Sequence, residues 1–347
     1  MKILITGTAG FIGSQTVGRF MEAGCDVIGM DNINDYYSTR LKYDRLKASG
    51  INESDIHYNR FTSSAKWPNY RFMKVDLEDS VSILQLFEEE QFDLVIHLAA
   101  QAGVRHSLVN PRSYVQSNMV GFFNVLEACR FSHVKKLLYA SSSSIYGMTE
   151  KRLLSISDCV DKPVSLYAAT KKSNELMAHV YSHLYGIATV GLRFFTVYGP
   201  WGRPDMAPFL FTDAILKEVP IKVFNHGDMQ RDFTYIDDIV EGIFLVSKAN
   251  LDECYSIFNI GNNAPVSLLD FIACLESELG KKARKEMLDM QPEDVVSTWA
   301  DTREFVSATG YKPQTNINQG VKSFVKWYKE YYKAADAIDF SAGPKGN

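Results

Sequence analysis

Three tyrosines are followed four residues later by a lysine: Tyr43–Lys47, Tyr70–Lys74 and Tyr167–Lys171. A free phenol, with a pKa near ~10, is a poor base at neutral pH. An ammonium group one helical turn away favours the phenolate by charge proximity. Such a pair can take a proton from a hydroxyl and give it back. The pair must sit on a helix, where residues i and i+4 are neighbours. In a strand these positions share a face but stand too far apart to touch. That argues against Tyr70–Lys74, which straddles the start of a β-rich run. Tyr43–Lys47 falls in a polar stretch. Tyr167–Lys171 opens the long helical segment "YAATKKSNELMAHVYSHLYG", shortly after a strand that ends in "SSSS". Ser142, Ser143 and Ser144 are candidate hydroxyls to share the proton, and the sequence does not choose among them.

A second constellation lies at the N-terminus. "ITGTAGFIG" places Gly7, Gly10 and Gly13 where an apolar run meets a helical one. Backbone can approach a pyrophosphate closely there, with a helix N-terminus pointing at the negative charge. The spacing is Gly-x-x-Gly-x-x-Gly rather than the commoner Gly-x-Gly-x-x-Gly. Asp31 ends the next strand, 18 residues past Gly13. A carboxylate there accepts hydrogen bonds from a ribose and repels a 2′-phosphate, which favours NAD over NADP. Asp76, in "VDL", is a candidate for the adenine amino group.

These groups need a scaffold. Apolar runs at 2–6, 26–31, 71–76, 92–100, 135–143 and 187–195 read as strands, with helical stretches between them near 79–90 and 113–131. The alternation predicts an α/β fold with a parallel sheet covered on both faces. Residues 32–69 interrupt it as a polar insertion. After Phe195 the pattern changes to the Pro- and Gly-rich "TVYGPWGRPDMAP" and shorter, mixed elements. The expected organisation is a nucleotide-binding domain over 1–195, to which 232–250 returns. A smaller substrate region covers 196–231 and 251–335, and 336–347 form a loose tail.

With 46% hydrophobic and 22% charged residues among 347, the chain reads as soluble and globular, with ample length for a real core. A net charge of −4 implies no broad attraction to nucleic acid. Five dispersed cysteines without a Cys-x-x-Cys spacing fit a reduced, cytoplasmic setting. No apolar run reaches membrane-spanning length, and "MKILITGTAGFIG" makes a poor signal peptide. His179 and His183, an i,i+4 pair, have no evident third ligand, so no metal is expected. The aromatic run "WYKEYY" (327–332) reads as one face of a C-terminal helix.

The residues "TGTAGFIG", "DNINDYY", "HLAAQAGVRHS", "SSSSIYG", "YAATKKSNE", "RFFTVYGPWGRPDMAP" and "RDFTYIDDI" resemble the extended short-chain dehydrogenase/reductases over nearly the whole chain. Within that family they are most similar to nucleotide-sugar epimerases of the UDP-glucuronate 4-epimerase type. The resemblance implies a doubly wound Rossmann-type sheet with a smaller C-terminal α/β region. It implies bound NAD, a UDP-sugar substrate, a place in polysaccharide biosynthesis and often a homodimer. Cofactor contacts would come from Gly7, Gly10, Phe11, Ile12, Gly13, Asp31, Asn32, Asp76 and Leu77. Leu98, Ala99, Ala100, Gln101, Asn118, Tyr167, Lys171, Phe194 and Val197 would supply the others. The substrate would meet Ser142, Tyr167, Met206 and, at the diphosphate, Arg231. Thr196, Arg203 and Arg105 match positions at or near the carboxylate of an acid sugar, where a guanidinium can clamp in bidentate fashion.

In the implied reaction Tyr167 removes the O4 proton while hydride leaves C4, and a 4-keto sugar forms, rotates and is reduced on its other face. A UDP-glucose/galactose or UDP-N-acetylhexosamine 4-epimerase is the alternative. Dehydratases and decarboxylases carry an acidic residue near the serine stretch, and positions 141–145 read Ser-Ser-Ser-Ser-Ile. A protein that only binds the dinucleotide, as sensor or scaffold, would be expected to lack the tyrosine or the lysine.

Overall fold

A computed structural model describes residues 1–291 and 295–335, so the expected loose tail at 336–347 lies outside the described residues. The first half runs β1 (Lys2–Thr6), α1 (Phe11–Glu22), β2 (Asp26–Asp31), α2 (Thr39–Ala48), β3 (Phe61–Ser63), β4 (Tyr70–Lys74), α3 (Ser80–Glu90) and β5 (Leu94–His97). Next come α4 (His106–Val109), α5 (Pro111–Tyr114), a π-helical turn (Val115–Val120), α6 (Gly121–Phe131), β6 (Lys136–Ser142), β7 (Leu153–Leu154), α7 (Leu166–Tyr185) and β8 (Ala188–Phe194). The rest comprises β9 (Thr196–Tyr198), α8 (Ala207–Leu216), β10 (Ile221–Val223), β11 (Gln230–Tyr235), α9 (Ile236–Lys248), β12 (Tyr255–Ile260) and β13 (Pro265–Ser267). It closes with α10 (Leu268–Leu279), β14 (Lys285–Met287), β15 (Trp299–Ala300), α11 (Arg303–Thr309) and α12 (Ile317–Ala335).

The main sheet has the order β12-β8-β6-β5-β1-β2-β4-β3. All its pairs are parallel except β3–β4. Successive side chains of a strand point to opposite faces, so the apolar runs fill two cores. Ile3, Ile5 and Val27 join Val17, Phe20, Ile243 and Phe244 beneath α1 and α9. Leu4 and Ile28 join Leu86, Phe87, Phe122 and Leu126 beneath α3 and α6. Burial on both faces is why these strands lack a polar alternation. The strand order reverses between β1 and β5, and the crevice outside the strands' carboxyl ends at such a point is where doubly wound sheets bind ligands.

The insertion 32–69 is not mere loop: it holds α2 and the edge strand β3. α9 packs on α1 against the main sheet. The assignment of 251–335 to the substrate region needs correction at its start and at α11, whose Phe305 joins the sheet core. β12 pairs with β8 from Tyr255↔Thr189 to Ile260↔Phe194 and so completes the main sheet. The later helices α10 and α12 do bury a separate core around Phe209, Phe233, Phe271 and Phe324, and α12 contributes the aromatic face read from "WYKEYY".

Candidate active site

Close packing explains the glycine turn. Gly7 has φ +79°, and a Cβ there would lie 2.8 Å from the Ala99 amide nitrogen. A Cβ on Gly13 would lie 2.1 Å from the Gly7 carbonyl oxygen. The turn thus presses α1 against β1 and β5. Gly10 is the N-cap of α1 and no side chain among the described residues caps it. The helix therefore offers its first backbone N–H groups and the positive end of its dipole to an anion. Asp31 stands beside the turn: Oδ2 accepts from the Ala9 amide at 3.0 Å and Oδ1 from the Ile33 amide at 2.8 Å. A carboxylate has about four acceptor sites, so two backbone bonds leave capacity for a ribose. These residues fit a dinucleotide. Asn32 donates to Asp76 Oδ1 at 2.7 Å, which brings two of the expected cofactor residues together. Asp76 lies two residues beyond the end of β4 rather than on it.

Ala99, Ala100 and Gln101 follow β5; Ala99 packs against Gly7 of the glycine turn, and its amide donates to Thr6 Oγ1 at 3.1 Å. Asn118, expected as a cofactor contact, is bonded within the protein. It is 2% exposed. Its Oδ1 accepts from the Gln101 amide at 2.8 Å, and its Nδ2 donates to the Gln101 carbonyl at 3.0 Å and Thr170 Oγ1 at 3.1 Å. Both amide hydrogens are spent, so Asn118 fixes the post-β5 turn to α7. It does so from a π-helical turn, a local feature frequent at functional sites. Phe11 is 6% exposed and packs in the core of the smaller region, while Ile12 and Val197 lie against both cores. Leu77 is buried under α6, Leu98 is half-buried, and Phe194 ends β8 in the sheet core.

Within the serine stretch, Ser142 gathers the contacts. Ser142 ends β6, and its Oγ accepts from the Ser144 amide at 3.2 Å and from Ser144 Oγ at 2.9 Å. Its hydroxyl also acts on the Tyr167 phenol through a hydrogen bond. Ser143 is half-buried in the same short turn. α7 begins where expected because Ser165 caps it, accepting from the Ala168 amide at 3.1 Å, and it stops at Gly186, which adopts φ +66°. Burial pushes the Tyr167 pKa upward, opposed by Ser142 and then by the charge of Arg203. The sequence had assigned the opposing charge to Lys171. That lysine donates to the Ala140 carbonyl at 2.8 Å, its Nζ 6.0 Å from the Tyr167 ring centre, and burial lowers its pKa to about 8.

Neither rival tyrosine has this setting. Tyr70 is 1% exposed inside the sheet. Tyr43–Lys47 proves to lie on a helix too, α2, with Tyr43 packed against the sheet core. Spacing alone could not separate it from Tyr167–Lys171; the serine turn does. His179 packs edge-on against Tyr255, ring centres 4.9 Å apart. Among the described residues no group of three or more His, Cys, Asp or Glu is gathered as if for a metal.

Arg203 is not an open clamp. Its Nε and Nη2 donate to Asp205 at 3.0 and 2.6 Å, and Tyr36 donates to the same carboxylate at 2.9 Å. Burial works against the Arg203 charge, but Asp205 outweighs it and holds the pKa above the ordinary value. Burial likewise opposes the Asp205 charge, and Arg203 keeps its pKa below the usual carboxylate range. Tyr36 and Asp205 were missed by sequence reasoning. Their signal was present in "NINDYY" and "GRPD", but nothing local joined the two. Thr196 begins β9, paired to Phe233 of β11. Met206 caps α8 three residues past Arg203. Arg105 stacks on Phe224 at 4.6 Å. Arg231 Nη1 donates to the Gln230 and Val296 carbonyls at 2.8 and 3.2 Å.

A doubly wound sheet, a glycine turn with an acidic strand end, and a Ser-Tyr-Lys cluster at the carboxyl ends of the strands define the class of a dinucleotide-dependent enzyme. Residues 3–261 match the family model described as the NAD dependent epimerase/dehydratase family, and the chain belongs to that family. Protein CapI of Staphylococcus aureus is 52% identical over 96% of this chain and 100% of its own length. UDP-glucuronate 4-epimerase 2 of Arabidopsis thaliana is 43% identical over 96% of this chain and 77% of its own. The crystal structure of UDP-glucuronic acid 4-epimerase from Bacillus cereus, in complex with UDP-glucuronic acid and NAD, superposes with a TM-score of 0.86 at 32% identity. It covers 96% of this chain and 100% of that one.

Proposed function

We propose that the protein is an NAD-dependent UDP-sugar 4-epimerase that interconverts UDP-glucuronate and UDP-galacturonate through a transient 4-keto sugar. The glycine turn, Asp31 and the Ala99–Gln101 segment hold NAD, which supplies a hydride acceptor and donor for C4 of the sugar. Tyr167 takes the O4 proton and later returns it, and Ser142 holds O4 within reach. Lys171, anchored on Ala140, keeps Tyr167 facing the serine turn. The 4-keto sugar rotates between the two proton transfers and presents its other face. The protein's contribution is positioning and pKa tuning.

One observation supports the choice of an acid sugar: the Arg203 guanidinium already grips a carboxylate, that of Asp205, through Nε and Nη2 at 3.0 and 2.6 Å. Its charge also favours the Tyr167 phenolate, so a carboxylate held by Arg203 would bring a hexuronate ring toward the proton-transfer group. To bind there it must share or replace Asp205. The 4-keto form of a uronic acid is a β-keto acid, and a fixed carboxylate guards it against loss of carbon dioxide. Asp205 is an acidic group beside Arg203, and the ion pair that keeps it ionised makes it a poor proton donor for a dehydratase. The test is paired kinetics of the parent and Arg203→Ala on UDP-glucuronate and UDP-glucose, with mass spectrometry of products. The variant should lose the acid sugar by roughly 10–100-fold more than the neutral one, the worth of a charge-assisted bond. It should also release some UDP-pentose. Equal losses, with no acid preference in the parent, would return the reading to a galactose or N-acetylhexosamine 4-epimerase.

The finer expectations belong to the same reading. A homodimer is supported by the exposed stripe Leu176, Val180 and Leu184 on α7, flanked by Phe123 and Phe131 on α6. Five unpaired cysteines favour a cytoplasmic setting. An acidic nucleotide sugar suits the assembly of an anionic polysaccharide.

A further inference from the structure

Arg45, on α2 in the insertion, is 1% exposed. A buried guanidinium is costly unless every donor finds an acceptor, and arginine has five N–H groups. Nε donates to the Trp201 carbonyl at 3.0 Å. Nη2 donates to the same carbonyl at 2.7 Å and to that of Gly202 at 2.9 Å. Nη1 donates to the Ala9 carbonyl at 3.0 Å and to the Tyr37 hydroxyl at 2.6 Å. All five hydrogens are thus used, and the acceptors are three backbone carbonyls and a phenol. The charge is spent on holding chain segments together.

The segments are informative. Ala9 belongs to the glycine turn that faces the dinucleotide. Trp201 and Gly202 immediately precede Arg203. Trp201 has φ +63°, a left-handed conformation that costs a bulky residue energy. Its carbonyl is pulled by two Arg45 donors, while its ring packs on Trp327 and Tyr331 of α12, each with ring centres 5.3 Å apart. Tyr331 in turn donates to Asp44, the neighbour of Arg45, at 2.7 Å. The strained residue is therefore fixed from both sides, and its turn determines where Arg203 points.

We infer that Arg45 is a positioning residue: it locks the Trp201–Gly202 turn to the glycine turn and so sets the preference for an acidic sugar through Arg203. The inference rests on the proposed acid-sugar reading. It is tested by calorimetry on the NAD-loaded protein in a Tyr167→Phe background, where turnover does not disturb the titration. Dissociation constants are measured for UDP-glucuronate and UDP-glucose. Arg45→Lys keeps the charge and loses the fork. It should reduce the acid-over-neutral ratio of affinities about tenfold, the worth of one charge-assisted hydrogen bond. With Arg203→Ala also present, Arg45→Lys should leave that ratio where Arg203→Ala alone puts it, because it acts through Arg203. Tyr37→Phe removes one acceptor and keeps the ring, so it carries the test if Arg45→Lys does not fold. Its drop should have the same sign and be about two- to fivefold, from one unsatisfied donor. An unchanged ratio, or an effect that persists in full without Arg203, overturns the inference while the acid-sugar reading stands. A parent that shows no preference for the acid sugar overturns both.

Discussion

Replacing Gly13 by alanine adds one carbon, and the structure says where it goes. The new Cβ would sit 2.1 Å from the Gly7 carbonyl oxygen and 2.6 Å from its carbon, whereas real Cβ contacts essentially never fall under 3.0 Å. Both partners are backbone, so neither can swing aside. The turn must open by about 0.9 Å, a misplacement of the kind that can cost ~10²-fold in a positioned interaction. NAD affinity should therefore fall by about 100-fold, or roughly 2.7 kcal/mol. Gly18→Ala is the control. It lies on the same helix, five residues on, and a Cβ there meets nothing within 4 Å. An alanine in a helix interior is worth about 1 kcal/mol over glycine, so this variant should bind NAD normally and melt about 1–2 °C higher. The assay is the NAD(H) released on denaturing each purified protein, with affinity for added NAD and the melting temperature measured alongside. Parent-level NAD affinity in Gly13→Ala would refute the reasoning, as would equal losses in the two variants.

Tyr167→Phe should lower turnover by ~10²–10⁴-fold, whereas Tyr43→Phe and Tyr70→Phe should leave the chemical step largely intact; steady-state rates on UDP-glucuronate decide, and an active Tyr167→Phe would dismiss the chosen pair. Lys171 has a folded pKa of about 8 against an ordinary 10.5. Between these values the unfolded chain holds a proton that the folded one has released, so stability rises with pH across that window. Denaturant unfolding of the cofactor-free parent minus that of Lys171→Met should show this rise from about pH 8 to 10.5, and a flat difference would contradict it. Glu175 and Arg193 form a buried bidentate pair at 2.9 Å, with Ser141 Oγ on the same carboxylate at 2.7 Å. Glu175→Gln strands the guanidinium and should cost about 3–5 kcal/mol in unfolding free energy; a loss below ~1 kcal/mol would show the pair to be dispensable.

Much of this was legible in one dimension. The parallel sheet could be read because strands buried on both faces are near-continuous apolar runs, separated here by helical periods. The glycine turn and Asp31 could be read because a tight strand-to-helix turn and a strand end are local features. Ser165 and Gly186 bound the Tyr167 helix for reasons that lie within a few residues of each end. What tertiary structure alone decided are contacts between distant segments. Tyr43–Lys47 and Tyr167–Lys171 are equally helical, and only the fold sets one of them beside Ser142. Asn118 was expected at the cofactor, and the fold ties its amide to Gln101 and Thr170, which are 17 and 52 residues away. Tyr36 meets Asp205 across 169 residues, and Arg45 meets Trp201 across 156. The return of β12 to the sheet edge was likewise unread. Periodicity reports which face of an element is buried, not what buries it; the partner is chosen when long loops close and whole elements pack.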